Sequence, residues 1–223
     1  AGAEFIVYTD PISLGVLEAP ANYGATICVG DLHGLGLHLN FGGGQAGFIA
    51  SHDDMRYITE FKELVDGMVE TTVPGEQGYS VVLIERTHYA MRENGKEFTG
   101  TQNNLWTAPV AVYLSLMGPK GMEEIGHTIM TNAKYAAKKL AGIPGVSLRF
   151  PSVFFKEFVV NFDKTGKTVE EINQQLLSRQ IFGGVDLSRD YPELGQSALY
   201  CVTETADKES IDRLAGALQA ILN

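Results

Sequence analysis

Short runs of apolar and β-branched residues near the start of the chain predict strands. Glu4–Thr9 and Ala25–Val29 have the composition of short buried strands, and Gly47–Ala50 is a third such run. The first strand leads into Asp10, and a glycine-rich run with two histidines follows the second. Open α/β sheets form ligand sites in this way, at the carboxyl ends of their strands. The same layout also occurs in α/β domains that bind no ligand.

The middle of the chain predicts one helix, one strand and one long loop. Apolar residues at helical spacing follow His52-Asp53-Asp54, which is a plausible helix start; they are Met55, Ile58, Phe61, Leu64 and Val65. Tyr79–Ile84 predicts a strand. Residues 85–104 are polar and lack periodicity, so they predict a long exposed loop. Loops of this length are often functional.

The second half of the chain predicts two successive helices and then a smaller mixed unit. Leu105–Met117 predicts a buried helix that ends at Gly118-Pro119, and residues 122–140 form an amphipathic helical pattern. Thr168 and Glu171 form a capping box, which predicts a helix to about Gln180. The remaining predictions are three strands, Val146–Phe150, Glu157–Asn161 and Leu199–Val202, and a last helix capped by Asp207 that carries Ile211, Leu214, Leu218 and Ile221.

This order of elements predicts an α/β fold with two domains. Residues 1–118 are expected to be part of a large α/β domain, and residues 119–223 a long connecting helix with a small C-terminal α+β domain. The chain has no initiator Met, and its first strand begins almost at once. A parallel strand needs neighbours supplied by crossover units. We therefore expect the N-terminal half of the large domain to be missing.

Charge and cysteine usage restrict the possible partners. The net charge of −10 argues against non-specific binding to nucleic acid or to an anionic membrane, because both require a basic face. Cys28 and Cys201 lie in apolar strand patterns, which predicts buried thiols in a reducing compartment such as the cytoplasm. No metal site is expected, since Asp31 and the nearby histidines match no known ligand spacing.

Several sequence blocks, in the same order, resemble one protein family. The blocks near the start are Asp10-Pro11-Ile12-Ser13-Leu14-Gly15, Ala19-Pro20, Tyr23-Gly24-Ala25 and Phe41-Gly42-Gly43 with Gly47-Phe48. Those near the end are 183–194, GGVDLSRDYPEL, and Cys201-Val202-Thr203-Glu204. Together these blocks resemble subunit 1 of the two-subunit glycine decarboxylase, the P-protein of the glycine cleavage system, over nearly the whole chain.

The resemblance implies a fold, a reaction and partners. The family has the aspartate-aminotransferase-like fold, fold type I of the pyridoxal phosphate enzymes, and its subunit 1 is about twice the length of this chain. Its reaction decarboxylates glycine on pyridoxal phosphate and passes the aminomethyl group to the lipoyl arm of a carrier, the H-protein. The implied partners are therefore subunit 2, the lipoylated H-protein and glycine.

The resemblance also suggests cofactor-binding residues. In this fold a lysine holds pyridoxal phosphate, and an aspartate pairs with the pyridine nitrogen so that the ring acts as an electron sink. Asp10 falls where that aspartate is expected, although an aspartate that starts a turn before Pro11 is the alternative. The first lysine of the chain is Lys62, and Gly30-Asp31-Leu32-His33-Gly34 stands where the catalytic subunit carries its lysine. We therefore expect the partner subunit to hold the cofactor, with none covalently bound in this chain.

His33 and Gly43 are weaker candidates near the same strands. His33 is either a surface loop residue or a residue that lines the subunit interface. Gly43 lies in the run Gly42–Gly44, which either brings backbone N–H groups to an anion or forms a tight turn.

Three basic residues are candidates for a catalytic role. Arg92 and Lys96 lie in the predicted loop, whose counterpart in the family is basic and lies near the active site between subunits. This chain departs from the family wording at 95–100, GKEFTG, and a solvated loop is the alternative. Arg189 resembles the small-domain arginine that clamps a substrate carboxylate. An ion pair within the chain, with Asp186 or Asp190, is the alternative.

The resemblance thus favours the subunit of glycine dehydrogenase (decarboxylating) that lacks the cofactor lysine and is inactive by itself. The alternative is a scaffold or carrier-docking module that has kept the fold without taking part in the chemistry. An unrelated aminotransferase-like enzyme that uses Lys62 or Lys96 is a third hypothesis.

Overall fold

Residues 2–37, 45–97 and 103–223 are described by the computed structural model of the chain. The chain divides into two units, Ala1–Gly118 and Pro119–Asn223. Among the described residues, no helix is both long enough and apolar enough to cross a membrane.

Three strands of the first unit form one sheet. The strands are β1 (Ile6–Tyr8), β2 (Ile27–Asp31) and β3 (Gly47–Ser51). β2 lies in the middle, parallel to β1 and antiparallel to β3, with Val7 opposite Cys28. The predicted strands are confirmed, but their predicted burial is wrong for β1, where Ile6 is 57% and Tyr8 68% exposed. β-Branched and aromatic residues favour extended backbone whether or not a second layer covers them.

The helix predicted after Asp54 is limited to one turn. Asp54 caps α1 (Met55–Ile58) through its side chain, and the chain then forms the hairpin of β4 (Val65–Glu70) and β5 (Gln77–Val82). β4 was missed, although exposed residues alternate with half-buried ones along it with the period of a strand. Gly75, with φ 82°, lies in the turn between the two strands.

Residues 85–97 of the predicted loop are largely exposed, as the sequence predicts, but they contain short helical turns and three buried residues that it does not predict. They form a short 3-10 helix, α2 (His88–Met91) and a second 3-10 turn, Arg92–Asn94. Arg86, Thr87 and Glu97 are buried, which a run of polar residues does not reveal. Residues 98–102 of the predicted loop lie outside the described residues.

α3 (Thr107–Ala141) is broken at the residue where the sequence predicts a break. Gly118 has φ 59° and ψ −178°, and Pro119 restarts the helix. The part before Gly118 was predicted to be buried and is largely exposed, with Val112 at 58% and Leu116 at 81%. Trp106, the chain's single tryptophan, ends the 3-10 turn before this helix.

The second unit has an antiparallel sheet and three helical segments around one core. Its strands are β6 (Ser147–Leu148), β7 (Glu157–Asn161), β8 (Val185–Asp186) and β9 (Ser197–Cys201), in the order β6-β7-β9-β8. Residues of α3 after Gly118 pack in the core with α4 (Val169–Leu177) and α5 (Lys208–Leu222). The predicted stripe on α3 is confirmed from Ile129 onward, where Ala133, Ala136 and Leu140 are buried.

The cap predictions in this unit are confirmed at both helices. Thr168 and Glu171 bond reciprocally at the start of α4, and Asp207 accepts from the amide of Ser210 at the start of α5. The cysteine prediction is wrong, because Cys28 is only half-buried and Cys201 is exposed.

Candidate functional site

The carboxyl ends of β1 and β2 lie at one edge of the sheet because the two strands are parallel. The Tyr8 hydroxyl at the end of β1 donates to Asp31 Oδ2 at the end of β2, over 2.6 Å. A Cβ at Gly34 would lie 3.1 Å from Ile12 Cδ1, so the turns that follow the two strands are in contact. A Cβ at Gly30 would lie 2.3 Å from the Thr9 carbonyl, and only glycine fits there.

Asp10 caps the 3-10 helix that follows β1 at this edge of the sheet. Its Oδ1 accepts the amide of Ile12 over 2.9 Å, and Pro11 occupies the first position of the 3-10 helix Pro11–Gly15. Its backbone carbonyl accepts the Ser13 hydroxyl over 2.7 Å. This geometry matches the turn alternative. A role as the partner of a pyridine nitrogen stays a prediction.

His33 is half-buried in the turn after β2, where its amide donates to Asp31 Oδ1 over 3.1 Å. Asp31 therefore links the end of β1 to the His33 turn. Gly43 and His38 lie outside the described residues. Among the residues that the structure does describe, no group of three or more His, Cys, Asp or Glu is placed to hold a metal ion.

The edge supplies carboxylates and an imidazole but no amine from its own segments. The sequence contains no lysine before Lys62. A Schiff base needs a primary amine, and an imidazole cannot replace it. The residues of this edge therefore do not fit covalent attachment of pyridoxal phosphate.

A second group of polar residues lies in the segment 83–97, which we call the α2 segment. The buried Arg86 guanidinium donates to the backbone carbonyls of Phe61 and Glu63. The buried Glu97 carboxylate contacts His88 Nδ1 at 2.5 Å. None of this burial could be expected from local sequence, because it depends on contacts that the fold brings about.

Arg92 and Lys96 lie on the outside of the α2 segment. Arg92 is exposed and has φ 51° and ψ −124°, an unusual conformation for a residue with a side chain. Lys96 Nζ contacts both Glu60 oxygens, at 2.9 and 2.7 Å, and Lys96 lowers the pKa of that carboxyl. Catalytic roles for the two residues stay predictions.

Arg189 lies in the second unit, on a groove of about 720 Å³ between α4 and the residues that follow it. Its side chain is 85% exposed and lies 3.9 Å from Glu170 Oε2. Asp186 instead accepts the amide of Ser188 over 2.8 Å. The structure therefore gives Arg189 an ion pair within the chain, but with a residue on α4 and not with its neighbours in sequence.

Two residues with notable surroundings were missed by the sequence analysis of sites. His88 was not singled out, since neither its spacing nor its neighbours in sequence indicate a partner. Tyr200 on β9 lies in the core, where burial raises the pKa of Tyr200 to about 12. The β-strand pattern around Tyr200 predicts that its side chain is buried. It does not predict that the Tyr200 hydroxyl is shielded from water.

Comparison with known proteins gives matches over the whole chain. Residues 1–218 match the family described as Glycine cleavage system P-protein. The chain is 36% identical over 222 residues to a protein of Pyrococcus furiosus named probable glycine dehydrogenase (decarboxylating) subunit 1. The match covers 100% of this chain and 48% of that protein, so the chain spans about half the length of the curated relatives it matches.

Solved structures agree with the predicted fold class. A crystal structure of glycine decarboxylase (P-protein) in inhibitor-bound form superimposes with a TM-score of 0.86 at 31% identity, over 99% of this chain and 48% of that one. Glutamate decarboxylase of Lactobacillus brevis superimposes with a TM-score of 0.65 at 13% identity, over 98% of this chain and 46% of that one, and shows the fold alone. The prediction of an α/β fold of the fold type I class is confirmed.

Proposed function

Because the chain belongs to the glycine cleavage system P-protein family, we propose that it forms part of the glycine decarboxylase subunit that lacks the cofactor lysine. The matched relative is named subunit 1, which implies a second subunit. We propose that this second subunit holds pyridoxal phosphate, that glycine is the substrate and that a lipoylated carrier, the H-protein, receives the aminomethyl group. Cys28 and Cys201 are not joined in a disulfide, which supports a reducing, cytoplasmic location.

One observation supports the proposal that the second subunit, and not this chain, holds the cofactor. The chain aligns over its whole length with subunit 1, yet it has no lysine among the residues that form the β1–β2 edge. Pyridoxal phosphate, when bound, supplies the electron sink that decarboxylation needs. This chain's own contribution is then to shape the surroundings of a site that its partner completes.

The domain organisation is part of the same proposal. We propose that Ala1–Gly118 is part of a larger α/β domain and that Pro119–Asn223 contains a small domain after a connecting helix. The exposed side chains of β1 support this, because a strand that is open to solvent is typical of a sheet that lacks a layer. The length of the relatives, about twice that of the chain, also supports it.

The test of the proposed function is reconstitution. The full-length subunit that contains this chain, a subunit 2 that carries the cofactor lysine and a lipoylated carrier are mixed with carboxyl-labelled glycine, and released carbon dioxide is counted. We expect release only when both subunits are present. Equal release by subunit 2 without this chain would overturn the proposal.

A second experiment locates the cofactor. Each subunit is incubated with pyridoxal phosphate, reduced with borohydride and weighed intact, followed by peptide mapping. We expect one adduct on subunit 2 and no stoichiometric adduct at a unique lysine of this chain. A single clean adduct here would name a different active site, with Lys62 and Lys96 the first lysines to inspect.

The scaffold function is a second candidate, because the proposed catalytic side chains have structural partners. Asp10 caps a turn, Lys96 pairs with Glu60, and Arg189 faces Glu170. The variants Asp10→Asn, Arg92→Gln and Arg189→Gln in the reconstituted complex distinguish the two functions. Full turnover by all three variants supports the scaffold, and loss of turnover with intact assembly supports a role in the chemistry.

A further inference from the structure

The α2 segment contains a histidine that a buried carboxylate holds by one nitrogen. The Glu97 side chain is 1% exposed, and its Oε2 lies 2.5 Å from His88 Nδ1. The His88 side chain is 47% exposed, so part of the ring is open to solvent. In the parts of the chain that the structure describes, His88 Nε2 has no hydrogen-bond partner. A buried carboxylate is costly unless it is paired, and His88 provides the partner of Glu97.

The backbone around the pair is fixed by close contacts. A Cβ at Gly95 would lie 2.7 Å from the His88 amide nitrogen, so the returning chain packs directly on the start of α2. The Lys96 amide donates to the Arg86 carbonyl over 2.8 Å. Arg86 is itself anchored to the carbonyls of Phe61 and Glu63. The backbone that carries the His88 imidazole is thus held by close packing and hydrogen bonds, as a positioned functional group requires.

Backbone strain lies on both sides of this histidine. Leu83 has φ 55° and Arg92 has φ 51°, and neither is glycine. Residues with side chains adopt this left-handed region at a cost, and they do so mainly where the surrounding structure imposes it, often at functional sites. The strain is an observation independent of the His88–Glu97 contact, and both fall within the same short segment.

The position of the proton follows from the carboxylate. A carboxylate oxygen accepts hydrogen bonds, so in this contact Nδ1 is the donor, and the neutral ring then has its lone pair on Nε2. The charge of the first unit also restricts the ligand. Residues 1–118 contain five basic and fourteen acidic residues, which favours a cation near this surface over an anion.

We propose that His88 Nε2 is an acceptor site for a primary ammonium group and removes a proton from it. The proton passes from the ammonium nitrogen to Nε2, which leaves a neutral amine and an imidazolium, and the Glu97 carboxylate balances the imidazolium charge. In the assembled enzyme the ammonium is that of the amino acid substrate, and this part rests on the proposed function.

The first test reads the tautomer directly in the 223-residue chain. Histidine labelled with ¹⁵N in the ring is examined by long-range ¹H–¹⁵N correlation, and His88→Gln identifies the signal. We expect protonated Nδ1 and unprotonated Nε2 for His88. Glu97→Met, which replaces the buried carboxylate by an apolar chain of similar length, should abolish this preference, while Glu93→Met in the same segment should not. A wild-type signal with the proton on Nε2 would overturn the proposal.

The second test uses methylammonium as the probe. Its titration should move the His88 Nε2 signal in a saturable way, and tetramethylammonium, which has the same charge but no N–H, should not. Equal shifts with both cations would reject the acceptor role and leave only an effect of charge.

The third test uses the reconstituted enzyme. His88→Gln should lower glycine turnover by about 10²-fold or more, the usual contribution of an acid–base group. The control His127→Gln, at an exposed position on α3, should not lower it. Turnover within twofold of wild type for His88→Gln in an active complex overturns this inference alone. Absence of turnover in every mixture overturns the proposed function, and the tautomer measurement then decides on His88 by itself.

Discussion

At the scale of single residues, Asp10 shows how a candidate catalytic group can be a structural one. Its carboxylate accepts the Ile12 amide at the start of a 3-10 helix. We expect Asp10→Ala to lower the free energy of unfolding by about 0.5–2 kcal/mol, the cost of losing a cap. Asp10→Asn should remain close to wild type in urea denaturation because asparagine also caps. An equal loss in both variants would show that the charge matters and not the cap.

Asp212 on α5 makes stability depend on pH. Contacts with Lys139, Tyr135 and Lys208 hold the pKa of this carboxyl far below its ordinary value. A lowered pKa contributes stability above the ordinary carboxyl range, near 4, and loses it as the pH falls below that range.

We therefore expect Asp212→Asn to lower the melting temperature at pH 7 and to lower it less at pH 2.5. Thermal unfolding at both values measures the difference. Glu124→Gln, at an exposed position within α3, should show no such change between the two pH values. A difference for Asp212→Asn that is constant with pH would contradict the ion-pair account.

The role of a residue could be predicted when its partner lies within a few positions in the sequence. The sequence Asp10-Pro11-Ile12-Ser13 contains its own cap, and Thr168 with Glu171 contains its own capping box. The pairs His88–Glu97 and Lys96–Glu60 are set by how the α2 segment folds back on itself and on Glu60. Burial of Arg86 and Glu97 contradicts the ordinary preference of charged residues for solvent, so no pattern rule predicts it.

At the scale of elements, α4 places two adjacent leucines in different surroundings, so residue type alone does not determine their burial. Leu176 is fully buried and Leu177 is 56% exposed. Leu176→Ala should cost about 2–5 kcal/mol of unfolding free energy through lost burial and a cavity. Leu177→Ala should cost about 0.5 kcal/mol or less. Similar costs in a denaturant titration would mean that α4 is rotated from the position described.

The capping box of α4 provides a second element-scale prediction. Thr168 Oγ1 accepts the Glu171 amide, and the Thr168 amide donates to the Glu171 side chain. Thr168→Ala should lower the free energy of unfolding by about 0.5–2 kcal/mol, while Thr168→Ser, which keeps the hydroxyl, should cost less than half of that. Chemical denaturation of the two variants beside wild type makes the comparison. A cost for Thr168→Ser as large as that of the alanine variant would point to the lost methyl group.

Element prediction succeeded where a single pattern covered the element and failed where two patterns overlapped or the element was too short to show one. The long amphipathic stripe of α3 and the five residues of β7 follow from sequence. A helical spacing arises by chance in Met55, Ile58, Phe61 and Leu64. This spacing obscured the alternating pattern of the strand Val65–Glu70. β8 has only two residues, too few for any period to appear.

At the scale of the whole molecule, the apolar core is concentrated in one unit. The core cluster lies entirely between Ala133 and Ile221. In the described residues of Ala1–Gly118, the larger buried apolar side chains are few: Ile12, Leu35, Leu37, Tyr57 and Val110. Burial of apolar area is the main source of folding free energy, so the two units differ in their capacity to fold alone.

We expect the fragment 119–223 to unfold cooperatively when it is expressed by itself. The fragment 1–118 should show no cooperative transition under the same conditions. Thermal unfolding followed by circular dichroism tests both fragments. A sharp transition in 1–118 would mean that its small set of buried residues is sufficient.

The position of the single tryptophan determines what an optical experiment on this protein reports. Trp106 lies in Ala1–Gly118, whereas the core cluster lies in the other unit. Indole emission therefore follows events in the first unit, and ellipticity at 222 nm is dominated by helices of the second. Two unfolding curves that fail to coincide would then reflect two units that melt separately, and an observer who followed emission alone would assign to the whole chain the stability of its weaker half.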